Sequence, residues 1–380
     1  MREFGGKCHG KLRGIRRGQA NKLIAGVTVL AASLAGARLA QAQSTFNTPG
    51  NILITDQFNN RIIEVDPNTH NIVWSFGDGS STPGPTSIVA PNDAQRVGNL
   101  TIIAGTGAPA GTPTAFEANC QNGCADNRVI VVDQNGNIVW QYGQAGVAGS
   151  GPNQLNTPVQ ATFLPDKHIL ITDQGNQRVI DVGYFQKIVW QYGTTGVSGS
   201  GPNQLNNPNS AELLENGDIL IADENNNRVI EVNRQYQVVW QYGNPNDTSI
   251  LNGAAFASRL SNGNTLITDS NNSRVIEVDR AGNTVFTFYT NARQGSASPS
   301  LPTRAIRLSN GNTLISDQGN DQVIEVDPSG NIVFSQGQIG VIGTGFNQLN
   351  WPYDAKVIGE YVGITPPFGG FSWVISPFVY

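Results

Sequence analysis

Two acidic side chains, Asp93 and Asp354, and one basic one, Arg304, fall at the same place in three copies of a recurring segment: two residues after a proline and just before an alanine. The same place carries Gln160 in Pro158-Val-Gln-Ala161 and Ser210 in Pro208-Asn-Ser-Ala211, with Asn92, Asn209 and Tyr353 one residue earlier in their own copies. If these segments line one axis, Asp93 and Asp354 together with the amides Asn92, Asn209 and Gln160 supply the hard oxygen ligands that Ca2+ prefers. Arg304 opens a second reading, in which it neutralises Asp354 as a structural ion pair and water fills the remaining space. Other catalytic groups are scarce. Beyond residue 42 the histidines are His70 and His168, far apart and without a His partner, and no Gly-x-Ser-x-Gly elbow joins a strand to a helix. What chemistry remains is a carboxylate-only mechanism or a metal-dependent, lactonase-like site in the channel.

The elements that must position these residues follow from an internal repeat. Its fullest copy runs Gly217-Asp-Ile-Leu-Ile-Ala-Asp223, Glu-Asn-Asn-Asn-Arg228, Val229-Ile-Glu-Val-Asn233 and Val238-Val-Trp-Gln-Tyr-Gly243. An aromatic near the end of each copy falls at Trp74, Trp140, Trp190, Trp240, Phe286 and Phe334, so there are six units of roughly fifty residues. Each unit reads as four short β-branched runs separated by turn residues, the pattern of a four-stranded antiparallel sheet. One such sheet has two apolar faces and cannot bury either alone; six arranged radially bury them against each other. The expected fold is therefore all-β, a six-bladed β-propeller. The first unit lacks its own first strand, and Pro352-Tyr-Asp-Ala355 supplies one unpartnered copy after the sixth. The C-terminal strand should thus complete blade one and close the ring.

Three further features carry alternatives. The repeat Asp (Asp56, Asp173, Asp223, Asp269, Asp317) stands five residues before Arg61, Arg178, Arg228, Arg274 and, with a change, Gln322. It is either an acidic ring for cations or an Asp that accepts turn hydrogen bonds and is bridged by its Arg. In blade two the equivalents are Gly105 and Arg128, with an insert of about Thr106 to Asp126 between them. Cys120 and Cys124 in that insert are expected to form a disulfide rather than a metal site, since no His or third Cys is near. The insert is either a recognition loop or a neutral cover over the channel mouth. The Trp-Gln-Tyr triplets at Trp140, Trp190 and Trp240 could stack on sugars or bases, or pack between blades.

The segments Gly149-Ser-Gly-Pro-Asn-Gln-Leu-Asn-Thr-Pro158, Gly199 to Pro208 and Gly343 to Pro352 resemble the linker between consecutive NHL repeats, and the Asp and Asn-Arg positions match that repeat too. The resemblance covers about residues 45–360 and implies a six-bladed NHL-type propeller, a fold shared by binding platforms, enzymes and sensors. Asn310-Gly-Asn-Thr-Leu-Ile and Gly330-Asn-Ile-Val-Phe are more loosely similar to arylsulfotransferase-type and quinone-cofactor (PQQ)-type propeller repeats. NHL-type amidating lyases use a His-ligated zinc and arylsulfotransferase propellers a His nucleophile; this sequence departs from both at those residues.

Residues 1–42 hold eight of the 23 Lys and Arg but one of the 28 acids. A basic stretch through Lys22, the apolar run Leu23 to Ala37 and the small-residue pattern Ala40-Gln41-Ala42 read as a signal peptide cleaved after Ala42. The apolar run is short for a membrane anchor. The rest of the chain is acidic, which argues against nucleic acid as a partner. The aromatic, uncharged tail of residues 361–380 lies outside the repeats, with no role assigned. The sequence thus leads us to expect an exported, periplasmic or extracellular, monomeric NHL-type propeller with no transmembrane span in the mature chain. Its expected role is a binding platform for a protein, small-molecule or glycan ligand. The alternative is a propeller enzyme, a metal-dependent lyase or hydrolase or a sulfotransferase-like one, with its site at the channel mouth.

Overall fold

The computed structural model describes residues 44–112, 120–183 and 185–361. The expected signal segment, residues 113–119 of the insert and residues 362–380 of the tail lie outside the described residues.

Six four-stranded antiparallel sheets form a ring. Their first strands are Pro352–Val357 for blade one, then Pro91–Val97, Pro158–Phe163, Pro208–Leu213, Ala254–Arg259 and Pro302–Arg307. These touch their neighbours in that order around the axis. The closure expected from the sequence is present: Pro352–Val357 pairs with Ile52–Asp56, placing Thr55 opposite Asp354 and Ile52 opposite Val357. Each seam holds its own apolar cluster, such as Ile52, Ile54 and Ile63 of blade one against Ile306, Leu308 and Leu314 of blade six. Burying one such side chain contributes about 1.5–3 kcal/mol, so each sheet is stable only between its neighbours.

The links earn their sequence residue by residue. In the link before blade three, Leu155 is buried in the seam, Asn153 accepts the Gly143 N–H at 2.8 Å, and the Asn156 N–H donates to Asp173 at 2.8 Å. Asn203 and Asn347 repeat the first of these bonds with Gly193 and Gly337. Gly193 has φ +97°, and a Cβ there would lie 2.3 Å from the Gln177 carbonyl oxygen, so a glycine is needed at this crossing.

The repeat Asp takes the structural option. Asp223 accepts from the Asn206 N–H, Asn226 Nδ2 and Arg228 Nε at 2.7, 2.7 and 2.8 Å. Asp56, Asp173 and Asp269 are bound in the same way. The turn that follows each Asp ends on a left-handed residue, among them Asn60, Gln177 and Asn227.

Candidate functional site

The channel is built in layers from the starts of the six first strands. The residue just before each Ala points at the next blade, where in four seams it accepts that blade's Ala N–H. Asp354 binds Ala94, Asp93 binds Ala161, Gln160 binds Ala211 and Ser210 binds Ala257, at 3.2, 3.1, 2.6 and 3.2 Å. At the other two places stand Phe256 and Arg304, and the guanidinium lies 4.2 Å from the Phe256 ring centre. Arg304 also reaches Asp93 at 2.7 Å and Asp354 at 2.9 Å. Lys356 contacts Asp93 at 2.7 Å and Asp354 more closely still. Two cations therefore face two carboxylates in a layer where Asp93, Asp354 and Arg304 are buried. Asp354 is raised by burial but lowered more by Arg304 and Lys356, and ends below the ordinary carboxylate range. Burial leaves Asp93 above that range despite the same two cations. Asp93, Asp354 and Arg304 do converge, as the sequence placed them, but as a closed ion cluster and not around an open pocket. Among the described residues no group of three or more His, Cys, Asp or Glu could hold a metal ion.

The next layer, toward the links, is the mouth. Tyr353 of blade one reaches across the ring to blade four, where its hydroxyl exchanges hydrogen bonds with the Asn209 amide, at 2.7 Å to Nδ2. Asn209 Nδ2 also donates to Glu224 Oε2 at 2.9 Å. On the other side Gln318 Nε2 donates to Gln57 Oε1 at 2.8 Å, and Gln57 Nε2 to Asn92 Oδ1 at 2.7 Å. Glu224 follows the repeat Asp of blade four; the corresponding residues are Gln57, Gln174, Ser270 and Gln318. Burial pushes its carboxyl up to about 7, against the single lowering effect of the Asn209 bond. Sequence reading missed Glu224 and Lys356. Glu224 was visible as the one charged residue in a neutral column; Lys356 had no signal until the strand's inward alternation was known.

Blade two departs from the repeat on the same face. Its central strands lengthen to Leu100–Ala108 and Cys124–Val132, and Cys120 and Cys124 are joined at the tip of this hairpin, as expected. Cys120 packs with Val89, Ala90 and Ala108 beside Phe58. The equivalence of Gly105 to the repeat Asp needs correction, because blade two has not lost its acid: Asp126 pairs with Arg128 at 2.5 Å and accepts the Val89 N–H at 2.7 Å. A Cβ on Gly105 would sit 2.6 Å from the Asp126 carboxyl carbon, so the carboxylate fills the place that the absent side chain vacates. Blade six makes a similar exchange. Arg293, from the preceding link, contacts both Asp317 and Gln322 in place of the missing repeat Arg. Burial nonetheless pushes Asp317 up to about 7.

On the opposite face the triplet tryptophans serve the seams. Trp240 Nε1 donates to the Arg280 carbonyl of the next blade at 3.2 Å, and Arg259 covers its ring at 4.7 Å. Arg234 covers Trp190 at 5.1 Å, and Trp140 packs on the seam between blades two and three. His70 binds Gln336 and His168 binds Asp181, each at 2.9 Å. A groove of about 700 Å³ over blades four to six is lined by Glu212, Glu231, Arg259, Arg280, Arg307 and Tyr361 among others. Its arginines are matched by acids: Arg259 and Arg280 share Glu231, and Arg307 binds Glu277.

No family model matches the chain, and no curated protein matches it by sequence. Among solved structures, a protein of unknown function from Bacteroides caccae is 15% identical with a TM-score of 0.53, covering 76% of this chain and 93% of its own. Virginiamycin B lyase from Staphylococcus aureus is 14% identical with a TM-score of 0.44, covering 67% of this chain and 75% of its own. A streptogramin B lyase is 12% identical with a TM-score of 0.45, covering 78% of this chain and 86% of its own. At 15% identity the likeness to the Bacteroides caccae protein extends to the fold alone.

Proposed function

We propose that the protein is an exported, monomeric binding platform of the cell envelope or extracellular space, whose recognition surface is the link face with its blade-two hairpin and channel mouth. The observation that carries this reading is the hairpin itself. Its strands, Leu100–Ala108 and Cys124–Val132, run beyond those of the repeated frame, and it is stapled by a disulfide, a bond that persists in oxidising compartments. An irregular loop held on a rigid scaffold is a common basis for recognition. Residues 1–42 support export through their basic, apolar and small-residue order. The closed ion cluster below the mouth gives an enzymatic reading no free acid or base to work with in that layer.

Replacing residues 109–123 with a two-residue Asn-Gly turn, together with Cys124→Ser so that no thiol is left unpaired, tests the platform. The ring should melt within a few degrees of wild type, while capture of ligand from envelope or glycan fractions is lost. Unchanged capture by the trimmed protein would overturn the assignment to this face. Export is tested separately: a reporter fused after residue 50 should leave the cytoplasm with Gln43 as its first residue.

A further inference from the structure

Each charge in the channel's ion cluster has an opposite partner, but Glu224 at the mouth has none: among the described residues no Lys, Arg or His forms a salt bridge with it. The positions that correspond to it in four other blades carry neutral Gln57, Gln174, Ser270 and Gln318, so the fold does not require an acid there. Glu224 and Gln174 keep partial exposure, as does Tyr353, whereas Asn92, Asn209, Gln57 and Gln318 around them are buried and hydrogen-bonded. A carboxylate held partly out of water without a counter-charge is costly, and a ligand cation that reaches it recovers that cost.

We propose that the mouth binds the ammonium group of an amine ligand, with Glu224 taking the charge and one N–H and the Tyr353 hydroxyl and the Asn209 side-chain oxygen accepting the other two. One carboxylate matches a single positive charge. A divalent metal needs six or more oxygens, usually with several carboxylates, and here the amides already point N–H groups at Glu224: Asn209 Nδ2 at 2.9 Å and Gln174 Nε2 at 3.5 Å. The three N–H bonds of an ammonium suit a carboxylate flanked by hydroxyl and amide oxygens. The inference deepens the platform reading by giving its mouth a ligand chemistry, and it rests on that reading.

The ionisable groups that face Glu224 leave it as the one that switches near neutrality. Burial and the Glu224 charge push the Tyr353 hydroxyl up, so it stays protonated, and Arg304 below is held by Asp93 and Asp354. Glu224 must be ionised to bind an ammonium. Its carboxyl titrates near 7, so affinity should rise about tenfold from pH 6 to pH 8.

The test is isothermal titration calorimetry of the purified protein with butylammonium chloride, with sodium chloride as the ionic control. Wild type should bind in the millimolar range with that pH dependence, and Glu224→Gln should lose at least tenfold in affinity at pH 8 while melting no lower than wild type. Tyr353→Phe should weaken binding only a few-fold and keep the pH dependence. No heat with wild type, equal affinity in Glu224→Gln, or an affinity indifferent to pH would each overturn the proposal. Those results would leave the hairpin excision untouched, so failure here and failure of the platform reading are told apart.

Discussion

The ion cluster and the mouth are adjacent layers of one channel, and they handle a break in the repeat in opposite ways. In the cluster, Asp93 and Asp354 interrupt a neutral pattern, and Arg304 and Lys356 arrive to meet them. At the mouth, Glu224 interrupts a column of amides and a hydroxyl, and among the described residues it is met by the amides of Asn209 and Gln174 with no opposite charge. The turns of blades two and six side with the cluster: Asp126 replaces the acid that Gly105 cannot supply, and Arg293 replaces the base lost at Gln322. A compensated departure preserves the frame. An uncompensated one spends stability, and a bound partner is what would restore it.

The largest effect should come from breaking the compensated layer. Arg304→Met would leave two buried carboxylates to Lys356 alone and should cost about 3–5 kcal/mol in urea denaturation; a loss near zero would mean that the cluster does not hold the frame. Next, Arg293→Ala should cost about 2 kcal/mol by stranding Asp317. Adding Gln322→Arg in that background should recover most of it, because the ordinary repeat pair is then rebuilt; failure to recover would show that Arg293 acts through something other than Asp317. In blade two, Gly105→Asp should cost about 1–3 kcal/mol through overlap with Asp126, and the double variant with Asp126→Gly should be milder than the single.

The smallest effect sharpens the other half of the comparison. Glu224 binds its proton more tightly in the folded chain, at about 7 against an ordinary 4.5. Between those values the folded state holds more protons than the unfolded, so this group makes stability fall as pH rises through the window. Glu224→Gln removes that slope. Without ligand it should be more stable than wild type at pH 8, by about 1–2 kcal/mol after allowance for partial exposure, and equal to it near pH 4. Thermal melts at both pH values check this.

Periodicity made the ring, the six blades and the closing strand legible, because strand alternation and seam burial act through many residues at once. Pro352 to Ala355 could be assigned to blade one by counting copies. The convergence of Asp93, Asp354 and Arg304 was legible for the same reason, since equal register places equivalent residues at one height in the channel. The Arg304–Asp354 ion pair was legible as one of two readings, but the second cation was not, because Lys356 reaches sideways from beyond the repeated four-residue pattern. Asp126 and Arg293 were hidden differently. Each fills its place from a distant point in the chain, so a column-by-column reading sees a loss where the folded molecule has a substitution in space.

The most direct test of the contrast is the titration of Glu224 itself, followed by the carboxyl carbon resonance of 13C-labelled glutamate and assigned with Glu224→Gln. The account requires a midpoint near 7 in the free protein and a fall toward the ordinary glutamate range when butylammonium is added. A midpoint near 4.5 in the free protein, unmoved by the amine, would show that Glu224 is already compensated and that the two layers of the channel do not differ.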